Sequence, residues 1–318
     1  MSYKNIYILG VGGSGMSSIA KYLKQKGDNV IGYDQRKSYV TNLLNQDGIK
    51  VVHTLDEITY KRESLYIYSS AIPIESDRFE DFHDKENVLS RPEYLKNLSE
   101  NHKIIGITGT HGKTSTTALL AHIFHFNNVN VSYLYGGITT FNGIGGHYGD
   151  PDQPLILETD EAFNTFEKIK ISDLLVLNVD SDHLDYFKNL DNYKDAFYKV
   201  MKNVTDNLVI NNDDLNIKSM KELKNPVSYG KDIAADFKVQ SPGTFIYENN
   251  KYEIKSDIIG DHFKANMLGA IILALLNGIE IKDSLNAIES FAGVKRRIEL
   301  IGISKGVLIY DDYGHHPT

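Results

Sequence analysis

The segment Gly109-Thr110-His111-Gly112-Lys113-Thr114-Ser115 puts a lysine and two hydroxyls directly behind a glycine-rich turn. Backbone N–H groups in such a turn can surround phosphate oxygens. A lysine at the following helix start neutralises β- and γ-phosphates, and the next hydroxyl can hold Mg²⁺. Lys113 and Thr114 occupy those two places, so the segment predicts an ATP site. Its spacing departs from the general P-loop pattern: Ile107 stands where the first glycine belongs, with Gly106 one residue earlier and Gly109 inside the loop. The competing reading is a glycine-rich connector ahead of a surface lysine. Strand, loop, Gly-Lys-Thr and amphipathic helix occurring together disfavour it.

A second glycine loop lies near the start. Gly10-Val11-Gly12-Gly13-Ser14-Gly15 matches G-x-G-x-x-G after a strand pattern and before a helix pattern. Its glycines permit a tight turn and close backbone approach to a phosphate at the helix N-terminus. Asp34 follows the next strand at the spacing of a ribose-binding acid, although an Asp after a strand is commonly only a turn or cap. This loop alone suggests a dinucleotide-dependent oxidoreductase. A hydride-transfer enzyme has no use for a second, lysine-bearing triphosphate cradle, and the pair of loops weakens that reading.

Acids and an imidazole follow two apolar runs. Glu158, Asp160 and Glu161 come after Leu155-Ile156-Leu157; Asp180, Asp182, His183 and Asp185 come after Leu174 to Leu177. In parallel α/β sheets ligands bind beyond the carboxyl ends of the strands. Lys113, Glu158 and His183 then project from one sheet edge. A carboxylate there suits Mg²⁺, which prefers oxygen ligands. An imidazole does not by itself, and caps or solvated loop charges are the plainer reading of His183 and the aspartates.

The elements that must position these groups alternate strand and helix, which predicts an α/β chain with mainly parallel sheets. The first unit reads as Rossmann-like: strands at 5–9, 29–33, 50–52 and 65–68, and helices at about 14–26 and 91–100. A restart follows, with a strand at 103–107, the lysine loop, and a helix carrying Leu119, Leu120, Ile123 and Phe124 on one face. A hairpin turning at Asn249-Asn250 and a helix from about 262 to 276 come next. Boundaries are expected at 1–99, 100–297 and 298–318. The final strand at 306–310 runs into Asp311 to Thr318 with no helix after it, which predicts the front part of a longer protein.

Composition narrows the function. The 318 residues suffice for two cores. A net charge of -8 with no basic stripe argues against nucleic acid as a partner. The absence of cysteine removes disulfides, thiolate metal sites and cysteine nucleophiles. The start runs straight into a strand pattern, and the most apolar run, Ala270 to Leu276, is too short to span a bilayer, so a cytoplasmic chain is expected.

Taken in order, these motifs resemble the Mur ligase family over essentially the whole chain. Those carrying the resemblance are 10–16, 109–115, Glu158-Thr159-Asp160-Glu161, 178–185, 260–266, Gly293-Val294-Lys295-Arg296-Arg297 and 311–318. The resemblance implies a UDP-sugar-binding first domain, a P-loop ATPase-like central domain and a third domain of which only the opening is present. It implies ATP-dependent joining of L-alanine to UDP-N-acetylmuramate through an acyl phosphate, with ATP and Mg²⁺ required. A tripeptide-recycling ligase, a folylpolyglutamate synthase relative and a non-catalytic nucleotide-sugar-binding fragment are the alternatives.

By motif, Lys113, His183, Arg297 (or its neighbour Arg296) and Asp312 would be catalytic. Gly109, Thr110, His111, Gly112, Lys113, Thr114, Ser115 and Asn266 would bind ATP. Gly10, Gly12, Gly13, Ser14, Gly15, Asp34, Ser70 and His111 would bind the UDP-sugar, and Thr114, Glu158 and His183 the metal. One departure stands out: the L-alanine-adding branch usually has Asn after His262, where this chain has Phe263.

Overall fold

The computed structural model describes residues 3–161, 165–180, 184–220 and 222–314, without the side chains of Leu184 and Asp185. The first unit runs β1 (Asn5–Leu9), α1 (Ser14–Gln25), β2 (Val30–Tyr33), α2 (Tyr39–Gln46), β3 (Lys50–Val52), β4 (Ser64–Tyr68), β5 (Val88–Ser90) and α3 (Arg91–Ser99). Its sheet is wholly parallel in the order β3-β2-β1-β4-β5. Ile6 pairs with Val30 on one side and Leu65 on the other. With both faces covered, β1 reads Ile-Tyr-Ile-Leu without alternation, as a central parallel strand should.

The second unit begins with β6 (Ile104–Thr108), α4 (Lys113–Phe126), β7 (Ser132–Thr139), β8 (Gly143–His147), β9 (Leu155–Glu158) and β10 (Asp173–Val176). It continues with α5 (Leu184–Phe187), α6 (Leu190–Lys202), β11 (Asn207–Asn211), α7 (Leu215–Ser219) and β12 (Val227–Gly230). β13 (Phe237–Ser241), β14 (Thr244–Tyr247), β15 (Asn250–Glu253), α8 (Asp261–Leu276) and α9 (Ile281–Glu289) complete it. Its ten strands run β15-β14-β13-β12-β11-β10-β6-β9-β7-β8. The interior from β13 to β7 is parallel, and antiparallel pairs close both edges. A separate hairpin, β16 (Glu299–Ser304) with β17 (Val307–Asp311), follows.

Two of the differences from the sequence expectation concern the β-hairpins. The β14–β15 turn is Glu248-Asn249, both left-handed at φ 47° and 64°, and Asn250 already belongs to β15. Positive φ at both central positions is the type I′ pattern of two-residue hairpins, and here the first is supplied by a glutamate, a residue with no propensity signal for it. The final strand runs one residue later than expected, through Asp311.

α8 is buried from Asn266 to Ala274 on all sides, because it lies between the sheet, α4 and α9. Among the described residues no helix is long and apolar enough to cross a membrane.

The units share a core. α1 packs across β7 and β8, and Ile19 and Leu23 join a cluster with Leu134, Ile144 and Leu157. Gly146 lies so close to the Ser18 carbonyl that no side chain fits there. Beside it Lys21, only 8% exposed, donates to the carbonyls of Asn142 and, at 3.2 Å, Ile144. Burial pushes its pKa down against the opposing pull of Asp47.

Candidate active site

The lysine loop lies at the carboxyl end of β6, between the ends of β9 and β10. Two of its glycines are obligatory. Gly109 has φ +144° and its α-carbon faces Leu177 and Asn178; Gly112 has φ +86° and carries the Asn266 amide against it. An L side chain at either position meets both strain and a collision. Asn178, on the segment after β10, braces the loop by accepting from His111 N at 2.8 Å and donating to His111 O at 3.0 Å. The Thr110 hydroxyl accepts from Asp180 N at 2.8 Å and meets the Tyr193 hydroxyl at 3.0 Å. His111 Nε2 stands 3.6 Å from the Asp180 carboxylate.

Lys113 is folded into this loop. Its Nζ donates to Gly109 O at 2.7 Å and Thr110 O at 3.2 Å, and lies 3.0 and 2.9 Å from the two oxygens of Glu161. Glu161 is fully buried, and the Tyr193 hydroxyl donates to it at 3.2 Å. Burial works to lower the lysine pKa, but the charges of Glu161, Asp160 and Glu158 outweigh it and the net direction is upward. Burial likewise pushes the Glu161 carboxyl up, against the pull of Lys113. The ammonium therefore persists at neutral pH, held by the carboxylates around it.

Thr114 and Glu158 form the neighbouring group. Thr114 Oγ1 donates to Glu158 Oε1 at 2.7 Å, and Glu158 Oε2 accepts from Gly136 N on β7 at 2.6 Å. Two hard oxygen donors side by side fit a Mg²⁺ ion. Among the described residues no group of three or more His, Asp or Glu side chains is gathered to hold a metal. His183 lies outside the described residues. Ser115 is buried on the first turn of α4.

The first glycine loop faces this group across a cleft of about 230 Å³, whose walls include Gly13, Ser14, Gly15, Ser70, Glu158 and Asp160. Ser14 approaches Gly136 closely. Gly10, at φ +81°, makes the turn, and Gly12 N donates to Asp34 Oδ2 at 2.9 Å. The other Asp34 oxygen accepts from Arg36 N at 3.0 Å, so this carboxylate shapes the loop from behind and is not part of the cleft wall. Arg297 and Asp312 lie on either side of the terminal hairpin. The Arg297 guanidinium sits 5.6 Å from the Tyr313 ring centre, and Asp312 accepts from Ile298 N at 3.3 Å. Their segment is tied back to β7 by Lys295 N donating to Ile138 O at 2.8 Å.

Asn178, Tyr193 and Gly136 received no individual role from the sequence. Asn178 acts by its side-chain amide on the loop backbone, Gly136 by its backbone N–H, and Tyr193 reads as a core helix residue. Only Asn178 carried a signal, its place just after an apolar strand.

A parallel sheet with a lysine-bearing glycine loop at its carboxyl edge, packed against a Rossmann-like unit, is the architecture of a nucleotide-dependent α/β enzyme. Residues 107–274 match the model of the Mur ligase middle domain, and residues 5–103 that of the Mur ligase family catalytic domain. The UDP-N-acetylmuramate–L-alanine ligase of Cytophaga hutchinsonii is 32% identical over 337 aligned positions, covering 99% of this chain and 72% of that protein. Its counterpart in Clostridium botulinum strain Okra is 34% identical, with the same 99% and 72% coverage. Among solved structures, the UDP-N-acetylmuramate-alanine ligase of Thermotoga maritima matches with a TM-score of 0.82 at 26% identity, over 98% of this chain and 75% of that one. The chain belongs to the Mur ligase family, whose members are ATP-dependent ligases.

Proposed function

We propose that the protein joins L-alanine to UDP-N-acetylmuramate at the expense of ATP, in peptidoglycan synthesis. In this reading residues 1–99 hold the nucleotide-sugar, residues 100–297 hold ATP, and the segment 298–318 contributes Asp312. The lactyl carboxylate attacks the γ-phosphorus and ADP leaves. The amine of L-alanine then attacks the acyl carbon, phosphate departs, and the amine loses a proton. A carboxylate is a poor acyl donor, and phosphorylation supplies its leaving group.

The observation that carries the reading is the single cleft whose wall passes from Gly13-Ser14-Gly15 to Glu158 and Asp160. A sugar nucleotide anchored at the first loop presents its far end to the phosphates of the second. Two anions must meet there. Lys113, released from the Gly109 and Thr110 carbonyls, offsets their repulsion and steadies the charge of the transferring phosphoryl group. Thr114 and Glu158 would hold Mg²⁺, which supplies Lewis-acid neutralisation of the phosphate oxygens. The cytoplasm, where ATP is available, is the location this chemistry requires.

Phosphate release measured with omission of each component tests the proposal. It should require ATP, Mg²⁺, UDP-N-acetylmuramate and L-alanine together. Undiminished release without the sugar nucleotide, or equal release with every amino acid offered, would overturn it.

A further inference from the structure

Arg91 is the first residue of α3, and its backbone is held by a capping box. The Ser90 hydroxyl accepts from Glu93 N at 3.4 Å and the Glu93 carboxylate accepts from Ser90 N at 2.7 Å. From there the side chain crosses to the first glycine loop. A β-carbon built on Gly15 would stand 2.9 Å from Arg91 Nε and 3.1 Å from Cζ, so the guanidinium rests against the bare α-carbon of that glycine. Nε is buried and has no hydrogen-bond partner, and no ion pair among the described residues engages the guanidinium. A guanidinium carries five donors, and leaving a buried one unmade costs about 1–3 kcal/mol. At a cleft wall, such a donor is placed to meet a ligand.

The surroundings state what that use is. Arg91 lines the same cleft as Gly13, Ser14, Gly15, Ser69 and Ser70. The amides of Ser14 and Gly15 head the twelve-residue helix α1, with no side chain capping them. Loop amides, two serine hydroxyls and a forked cation together match adjacent phosphates, since arginine meets phosphate oxygens through paired parallel N–H bonds. At the other end of the cleft Glu158 and Asp160 stand beside the lysine loop, so the reacting carboxylate of an acceptor belongs there and its remote charge belongs at Arg91.

We propose that Arg91 is the diphosphate-gripping residue of the nucleotide-sugar site. This rests on the function proposed above. Gly15 is glycine because the guanidinium occupies the space of a side chain.

Calorimetric titration with uridine, UMP, UDP and UDP-N-acetylmuramate tests the assignment in the wild type, Arg91→Gln, Arg91→Lys and Gly15→Ala, with ATP titration and a thermal melt as checks of the fold. In the wild type UDP should bind far more tightly than uridine. Arg91→Gln should weaken UDP by about 30-fold or more, the scale of a charge-assisted pair, and leave uridine and ATP binding unchanged. Arg91→Lys should fall between, and Gly15→Ala should resemble Arg91→Gln because it displaces the guanidinium. UDP binding by Arg91→Gln within about threefold of wild type, on the scale of a surface contact, overturns the assignment and leaves the ligase reading standing. So does a loss confined to UDP-N-acetylmuramate with UDP unaffected, which would place the guanidinium on the acceptor's carboxylate. No UDP binding by the wild type overturns the ligase reading and this assignment together.

Discussion

Replacing Lys113 by methionine separates what the lysine does for the fold from what it does for phosphoryl transfer. The side chain keeps its length and loses its charge. In the wild type the ammonium sits 3.0 and 2.9 Å from the two oxygens of a fully buried Glu161. Removing one member of a buried pair costs about 3–5 kcal/mol, because the other charge stays in a medium that cannot solvate it. For a chain of this size that corresponds to a fall of roughly 5–10 °C in melting midpoint near neutral pH. The deficit should depend on pH with a definite sign. Burial raises the Glu161 pKa, and removing Lys113 takes away the main pull against that rise, leaving a backbone hydrogen bond as a smaller one. Below the unfolded-chain value of about 4.3 both states are protonated and the cost vanishes. As pH climbs toward the raised folded value, the unfolded chain releases a proton that the folded chain keeps, and the deficit grows. Thermal melts at about pH 5 and pH 8 should show the larger gap from wild type at the higher pH. Lys113→Met with Glu161→Gln should recover most of the midpoint and none of the phosphate release. Equal gaps at both pH values, or a double variant no more stable than the single, would refute the buried-pair reasoning.

Other perturbations have equally definite outcomes. Asn178→Ala removes two hydrogen bonds to His111; at about 1 kcal/mol each, ATP affinity should fall roughly 30-fold in calorimetry with the overall fold intact. Thr114→Val keeps the shape and deletes the hydroxyl beside Glu158. Phosphate release should then need about tenfold more Mg²⁺, while metal-free nucleotide binding stays at the wild-type level. Lys21→Met strips the donor from the Asn142 and Ile144 carbonyls, and urea unfolding should show a loss of about 2 kcal/mol with no change in ATP affinity at the lysine loop.

The two glycine loops were legible because their glycines are demanded by backbone geometry. Gly10, Gly109 and Gly112 all have positive φ, and such positions repeat as patterns in the chain. The buried strands were legible for a related reason: runs such as Leu155-Ile156-Leu157 are covered on both faces. The β7–β8 hairpin was not. Its sequence is crowded with Gly136, Gly137, Gly145 and Gly146, which reads as loop, yet most of these serve close packing: Gly145 meets Tyr135, Gly146 meets Ser18, and Gly137 meets Val294 and Thr114. Nor do the four residues Glu158 to Glu161 announce which acid braces the lysine and which stands by Thr114. The end of β9 turns Glu158 toward Gly136 and buries Glu161 beside Tyr193, a residue 32 positions further on. Arg91 is silent for the opposite reason, since a residue at a helix start after a serine cap looks like ordinary punctuation.

The embrace of α1 by β7 and β8 bears on how this protein can be taken apart. The helix that begins at the first glycine loop finishes its burial on the other unit's sheet, with an ammonium shut between them. A cut near residue 100 would therefore yield neither half as a free-standing module: one would expose the greasy flank of a helix, the other an uncovered sheet margin with stranded carbonyls. Subcloning either nucleotide site alone should give insoluble or sticky material, and grafting one half onto a relative should succeed only if the helix and the hairpin travel together.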